Sequence, residues 1–367
     1  MKSKQEQELQ QVTSPAPGGD GRKGITEKGG VTMKQVRISV VTSVLVVLVV
    51  LVVGGSVQAS DLKNYAFVHP FGLSSATTAR AAALGGAISC VWDRGFSNPA
   101  YAAMQDRDNA SVRWTTTDFD RGPDITSTHA HFVFPLKPGR DGMEISLFDL
   151  HSNSGQVPTP GGPYMDMSEK DIAIHYGRRI DASWCVGAGI SPLSQIRLSM
   201  WAPGWVPIMD IKAESDWGTR LGAVYQRTLG EQWGVVYDYY QETAKGAGLA
   251  FGGGTARQVY HTDLLAVGVS KYLRRDLMVV AEYQRGRTFA GADDGTLCGW
   301  HFGAEYAPSP RFALRVGSND GGLTAGVGYR GKRVEFSYAY IQDSNDDIAG
   351  DMFGGSDTHM IQAICVW

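Results

Sequence analysis

The sequence predicts an all-β chain, an antiparallel transmembrane β-barrel of about 14 strands. Three observations carry this reading. Period-two alternation runs from Asp106 to the end, tight turns alternate with long loops between the runs, and only one stretch is both long and purely apolar.

The alternation is clearest near the C-terminus. Phe312, Leu314 and Val316 share one face of a run whose other face carries Ala313, Arg315 and Gly317. Leu323, Ala325, Val327 and Tyr329 then alternate with Thr324, Gly326, Gly328 and Arg330. Upstream, Trp300, Phe302, Ala304 and Tyr306 alternate with His301, Gly303 and Glu305, and Trp233, Val235 and Tyr237 with Gly234, Val236 and Asp238. One face is apolar and aromatic; the other is glycine and charge. A soluble sandwich turns the apolar face inward, and a membrane barrel turns it out to lipid. On the membrane reading Arg113, His175, Lys212, Glu214, Arg220, Asp238, Glu282, His301, Glu305, Arg315 and Arg330 line the lumen.

Parity alone does not choose between the two, but the connections do. Tight turns are expected at 180–183, 229–232, 274–276 and 331–332, and long loops at 152–168, 243–256, 288–295 and 343–356. Short turns on one side and long loops on the other are what an outer-membrane barrel requires; the short connection at 318–321 is the exception. Trp184, Trp233, Tyr306, Tyr329 and Trp367 fall near the short-turn rim on the outward face, as an interfacial girdle would. The last run ends on Trp367 at outward parity, which resembles the C-terminal signal read by the barrel-assembly machinery.

Residues 1–32 are polar and aperiodic, and read as a disordered or non-native extension. Residues 33–59 read as a signal peptide: Lys34 and Arg37 lead into an apolar run of roughly 16 residues, shorter than the ~20 of a spanning helix. Val57-Gln58-Ala59 before Ser60 has the small-x-small form of a cleavage site, and Met33 is the expected true start. The domain reading is completed by an Ala/Gly-rich segment at 60–105 and the barrel at 106–367.

A net charge of -3 gives no basic field, so a nucleic-acid partner is not expected; outer-membrane lipid is. Cys90, Cys185, Cys298 and Cys365 lie far apart with no C-x-x-C pair, and neither metal nor cofactor is expected. His261 with Asp263, and His359 with Asp357, are i, i+2 neighbours on strands, not a catalytic constellation. Asp343-Ser344-Asn345-Asp346-Asp347 starts like a calcium loop, but Ile348 replaces the turn glycine and Gly354 stands where the bidentate Glu belongs. No catalytic residue is assigned, and the chain is not read as an enzyme.

Within 60–105, the run Thr78-Ala79-Arg80-Ala81-Ala82-Ala83-Leu84-Gly85-Gly86-Ala87, followed by Asn98-Pro99-Ala100, resembles the N-terminal signature of the FadL/TodX-type outer-membrane transporters of hydrophobic compounds and their PorV/PorQ relatives. In that family an "ARALGMGGA" run precedes an "NPA" triplet. The resemblance implies a fourteen-stranded barrel whose N-terminal segment forms a hatch in the lumen, with Leu84, Gly85, Gly86, Asn98, Pro99 and Ala100 as its motif residues. It implies passive uptake of a hydrophobic small molecule, or, on the PorV/PorQ side, a non-transporting barrel that serves as secretion partner or scaffold. On the residues alone, Asn98 turns or caps the backbone and Pro99 fixes φ.

Overall fold

The computed structural model describes residues 78–94, 98–119, 124–152, 155–156, 164–202, 206–228, 230–247, 255–290, 293–343 and 356–367. The extension at 1–32, the signal peptide at 33–59, the first part of the 60–105 segment and the calcium-like loop beyond Asp343 lie outside them.

The barrel strands are β1 Asn109–Phe119, β2 Ile125–Lys137, β3 Asp141–Ser152, β5 Tyr164–Arg179, β6 Trp184–Ala202, β7 Val206–Thr228, β8 Glu231–Ala247, β9 Thr255–Arg274, β10 Leu277–Ala290, β11 Asp293–Ser309, β12 Phe312–Asn319, β13 Gly322–Arg330, β14 Val334–Asp343 and β15 Ser356–Val366. A two-residue β4, Gly155–Gln156, is an extra ribbon on the edge of β5. Every neighbour is antiparallel, and β1 pairs with β15 while β3 pairs with β5, so fourteen strands close into a ring without a free edge. Among the described residues no helix is long and apolar enough to cross a membrane.

The outward face is the apolar one. Phe312, Leu314, Val316, Val327 and Leu323 are each half or more exposed, whereas Thr324, Glu282 and Asp238 on the inner face are 1% exposed. This inversion, apolar side chains outward and polar ones inward, is the arrangement of a membrane barrel. Trp184, Trp233, Tyr306, Tyr329 and Trp367 are all exposed near the short-turn rim, with the Trp184 ring tilted against Tyr225 at 4.8 Å and Phe312 against Tyr329 at 5.2 Å.

Two expectations are corrected by the strand ends. The long loop expected at 288–295 shrinks to residues 291–292, and that at 243–256 to 248–254, because β8 to β11 continue past the apolar belt. Ladder pairing needs only backbone groups, and above the belt the outward face has no reason to alternate. The short connection between β12 and β13 is a two-residue turn with both φ angles positive, 45° at Asp320 and 98° at Gly321, the Asp-Gly chemistry of a tight hairpin.

Lys212 and Glu214 are also corrected: they face outward. Asp216 is an extra residue on β7 between the pairs Ser215↔Glu242 and Trp217↔Gln241, and one inserted residue carries every side chain beyond it to the other face. Opposite it, β6 bulges at Pro192 and Leu193, both exposed outward, and the β6–β7 ladder skips from Ser191↔Gly218 to Gln195↔Glu214. Pro192 has no amide hydrogen to give the ladder, so the β6–β7 seam is interrupted at this point.

Candidate functional site

Residues 78–94 and 98–105 lie inside the ring. α1, the five-residue helix Ala79–Ala83, is capped by Thr78, whose hydroxyl accepts from the Ala81 amide, and every residue of it is buried. Leu84 and Gly85 follow. Gly85 has φ +82°, and a Cβ there would stand 2.4 Å from the carbonyl oxygens of both Phe302 and Ser318, so only glycine fits. Its amide donates to Thr324 Oγ1 at 3.1 Å, its carbonyl accepts from His301 Nδ1 at 2.6 Å, and the Thr324 hydroxyl donates to the Ala83 carbonyl at 3.1 Å. Gly86, at φ +83°, gives its carbonyl to Gln284 Nε2 at 3.0 Å.

The second part of the segment is a 3₁₀ helix, Pro99–Met104, capped by Asn98. Asn98 Oδ1 accepts from the Ala100 amide at 3.0 Å, and the side-chain NH₂ donates to Ser89 O at 2.9 Å and to Ala223 O and Val235 O in the wall at 3.3 Å each. The wall has made room for this helix. Gly142, Gly177, Gly187 and Gly222 stand in register on β3, β5, β6 and β7, and a Cβ on any of them would come within 2.5 Å of an atom of Asn98, Pro99 or Ala102. Gly303 and Gly317 do the same for Leu84 and Gly85 on the opposite wall. Glycine on the inner face of consecutive strands lets the two backbones touch.

Charge completes the seating. Arg80 grips Glu305 with both ends of its guanidinium, Nε to Oε2 at 2.8 Å and Nη2 to Oε1 at 2.6 Å, and gives Nη1 to Trp92 O at 2.6 Å. Arg315 Nε joins the same carboxylate at 2.7 Å. Burial opposes the charge on Arg80, but the Glu305 carboxylate outweighs it and holds the guanidinium above its ordinary pKa. Glu282 accepts from the amides of Ile88 and Ser89 at 2.8 and 2.7 Å and from Ser89 Oγ at 2.5 Å. Burial first, and then Glu282, push the Cys90 thiol up.

The six luminal residues expected from sequence therefore divide. His301 and Glu305 touch the N-terminal segment, and Arg315 bonds the Glu305 carboxylate that holds Arg80. His175 and Asp238 are buried in the wall away from it: His175 Nδ1 meets Glu144 Oε2 at 3.1 Å, with His131 on the other oxygen, and Asp238 takes two bonds of 2.6 Å from Arg220. Arg330 keeps inner parity but is exposed at the short-turn mouth, where Glu335, 3.2 Å away, also meets Arg94 at 3.7 Å. Trp367 closes the ring on the outward side, its amide bonded to Asp108 O at 3.2 Å.

No family model matches the sequence, and no curated protein matches it by sequence. Solved structures do match by shape. The Ralstonia pickettii toluene transporter TbuX is 17% identical with a TM-score of 0.51 over 78% of this chain and 96% of its own. The CymD monoaromatic hydrocarbon channel is 13% identical with a TM-score of 0.54 over 78% and 96%. A Pseudomonas aeruginosa FadL homologue is 13% identical with a TM-score of 0.50 over 79% and 98%. This chain has the fold of the FadL/TodX-type channels. None of the three is a PorV/PorQ-type barrel.

One feature of that lumen had no signal in the alternation. Toward the long loops the inner face turns apolar: Ile125 of β2, Phe148 and Leu150 of β3, Met165 and Met167 of β5 and Leu198 of β6 form one buried cluster. Each occupies an inner position that elsewhere carries His, Glu or Gly, and a list of inward residues by strand would have found it. At the short-turn mouth two cavities of about 190 and 200 Å³ are both bounded by Arg80, Trp92 and Tyr272. Among the described residues no group of His, Cys, Asp and Glu could hold a metal ion.

Proposed function

We propose that the protein is an outer-membrane channel for passive uptake of a hydrophobic small molecule, and that residues 60–105 act as its hatch. The single observation that carries the cargo class is the inward apolar cluster of Phe148, Leu150, Met165, Met167 and Leu198. These side chains gain by packing on one another, and an apolar solute leaving water gains the same kind of contact where the lumen opens beside them. The similar structures, a toluene transporter and a monoaromatic hydrocarbon channel, support the same class. With the segment seated toward the short-turn mouth, we assign the exit to the wall at Pro192, where the β6–β7 ladder is interrupted. The rival reading, a secretion partner or scaffold, gains no support from these likenesses.

Uptake tests this. Cells or proteoliposomes carrying the protein take up a labelled monoaromatic hydrocarbon faster than empty controls, and the double variant Leu150→Asp/Leu198→Asp loses about tenfold of that rate, as burying an unpaired carboxylate beside the solute predicts. Uptake unchanged in a variant that still assembles would remove the apolar cluster from the path.

A further inference from the structure

Above the apolar belt the outward face of β6 to β9 changes character. Arg197 stands directly opposite Lys212, Lys212 opposite Lys245, and Lys245 opposite Arg257, one residue from each of four neighbouring strands. All four side chains are exposed, and their parity is that of Trp233 and Tyr237, so they point away from the lumen. Like charges directly opposite on adjacent strands repel and destabilise the pairing. Here three successive pairs do so.

Two carboxylates temper the row: Asp210 lies 3.4 Å from Arg197, and Glu214 2.5 Å from Lys212. Among the described residues Lys245 and Arg257 have no carboxylate at ion-pair distance. The depth of the row is set by the aromatic side chains. Trp184, Tyr225 and Trp233 mark the lower edge of the belt, and Trp217 with Tyr239, their rings 5.1 Å apart, mark the upper. Lys245 is four residues beyond Gln241, the partner of Trp217. Four residues on a tilted strand rise on the order of 10 Å, which is headgroup depth.

We infer that Arg197, Lys212, Lys245 and Arg257 bind the phosphorylated headgroup of an anionic lipid in the leaflet that faces the long loops. The inference rests on the reading of the barrel as membrane-spanning. The row covers about 15 Å, three strand spacings, and its two arginines offer planar forks that match phosphate. A bound phosphate relieves the cross-strand repulsion that the chain otherwise carries, so the same four residues are a liability without the lipid and an anchor with it.

The test follows the temperature at which the compact, SDS-resistant form converts to the slower heated form. The intact protein and R197Q/K212Q/K245Q/R257Q are each placed in dioleoylphosphatidylcholine vesicles with or without dioleoylphosphatidylglycerol. Anionic lipid should raise the transition of the native protein by about 3 °C or more, and high salt should remove the rise. The variant should show no rise, and in pure phosphatidylcholine it should be at least as stable as the native protein. Equal rises in both proteins, or a variant less stable in phosphatidylcholine, overturn the site. Inorganic phosphate that reproduces the rise overturns the lipid assignment. A native protein that forms no compact species in either lipid overturns the membrane barrel itself, a separate failure.

Discussion

Deleting residues 61–105 should convert a closed barrel into a conducting one. Fourteen strands enclose a space that wall side chains alone fill poorly, and here α1 and the 3₁₀ helix fill it, seated on glycines of the inner face. The wall does not depend on the segment for its own ladder, since β1 pairs with β15 and β3 with β5 through backbone groups of the strands. The deletion should therefore still run as a heat-modifiable species. In planar bilayers its current should exceed that of the intact protein by about tenfold or more, as an emptied lumen of this strand number implies. Equal currents in assembled barrels would show that the segment does not close the lumen.

Replacing Glu305 with alanine should be the most damaging single change to the seat. Its carboxylate holds Arg80 at 2.6 Å and Arg315 at 2.7 Å, and the side chains of both cations are 10% exposed or less. Removing one member of a buried ion pair leaves the other charged and unpaired, which costs about 3 to 5 kcal/mol. The loss should appear as a lowered heat-modifiability transition and as protease cleavage within residues 78–94. Glu305→Gln keeps the shape and some of the hydrogen bonds, and should lose less. If Glu305→Ala unfolds like the native protein and its segment stays protected, Arg80 is not the tie that its geometry suggests.

How much of this the sequence carried depends on which force set each feature. The barrel was legible because lipid and lumen act on alternate residues, and Leu314 against Arg315 records both. The two bulges were not legible: Asp216 and Pro192 shift register by backbone geometry, and the alternation on either side reads equally well, so Lys212 and Glu214 were placed inside. The motif of the N-terminal segment was visible as letters, but its reasons were not. Gly85 is fixed by two carbonyls more than two hundred residues away in the chain, and Arg80 by Glu305. Gly142, Gly177, Gly187 and Gly222 looked like interchangeable small residues until register aligned them under Asn98, Pro99 and Ala102. The apolar inner cluster was missed because each of its members, taken alone, looks like an ordinary strand residue.

Whether the N-terminal segment sits inside the barrel can be read from the reactivity of Cys90. This thiol is 0% exposed, with Glu282 Oε2 3.9 Å away and the Gly268 backbone of β9 beside it. In a Cys185→Ser/Cys298→Ser/Cys365→Ser background it is the single thiol, and a membrane-impermeant maleimide reports on it alone. The seated segment predicts labelling of the heated protein and at least about a hundredfold slower labelling of the folded barrel, since reaction needs local opening of the seat. Labelling of the folded barrel at the rate of the heated one would place the segment outside the lumen and overturn its seating there.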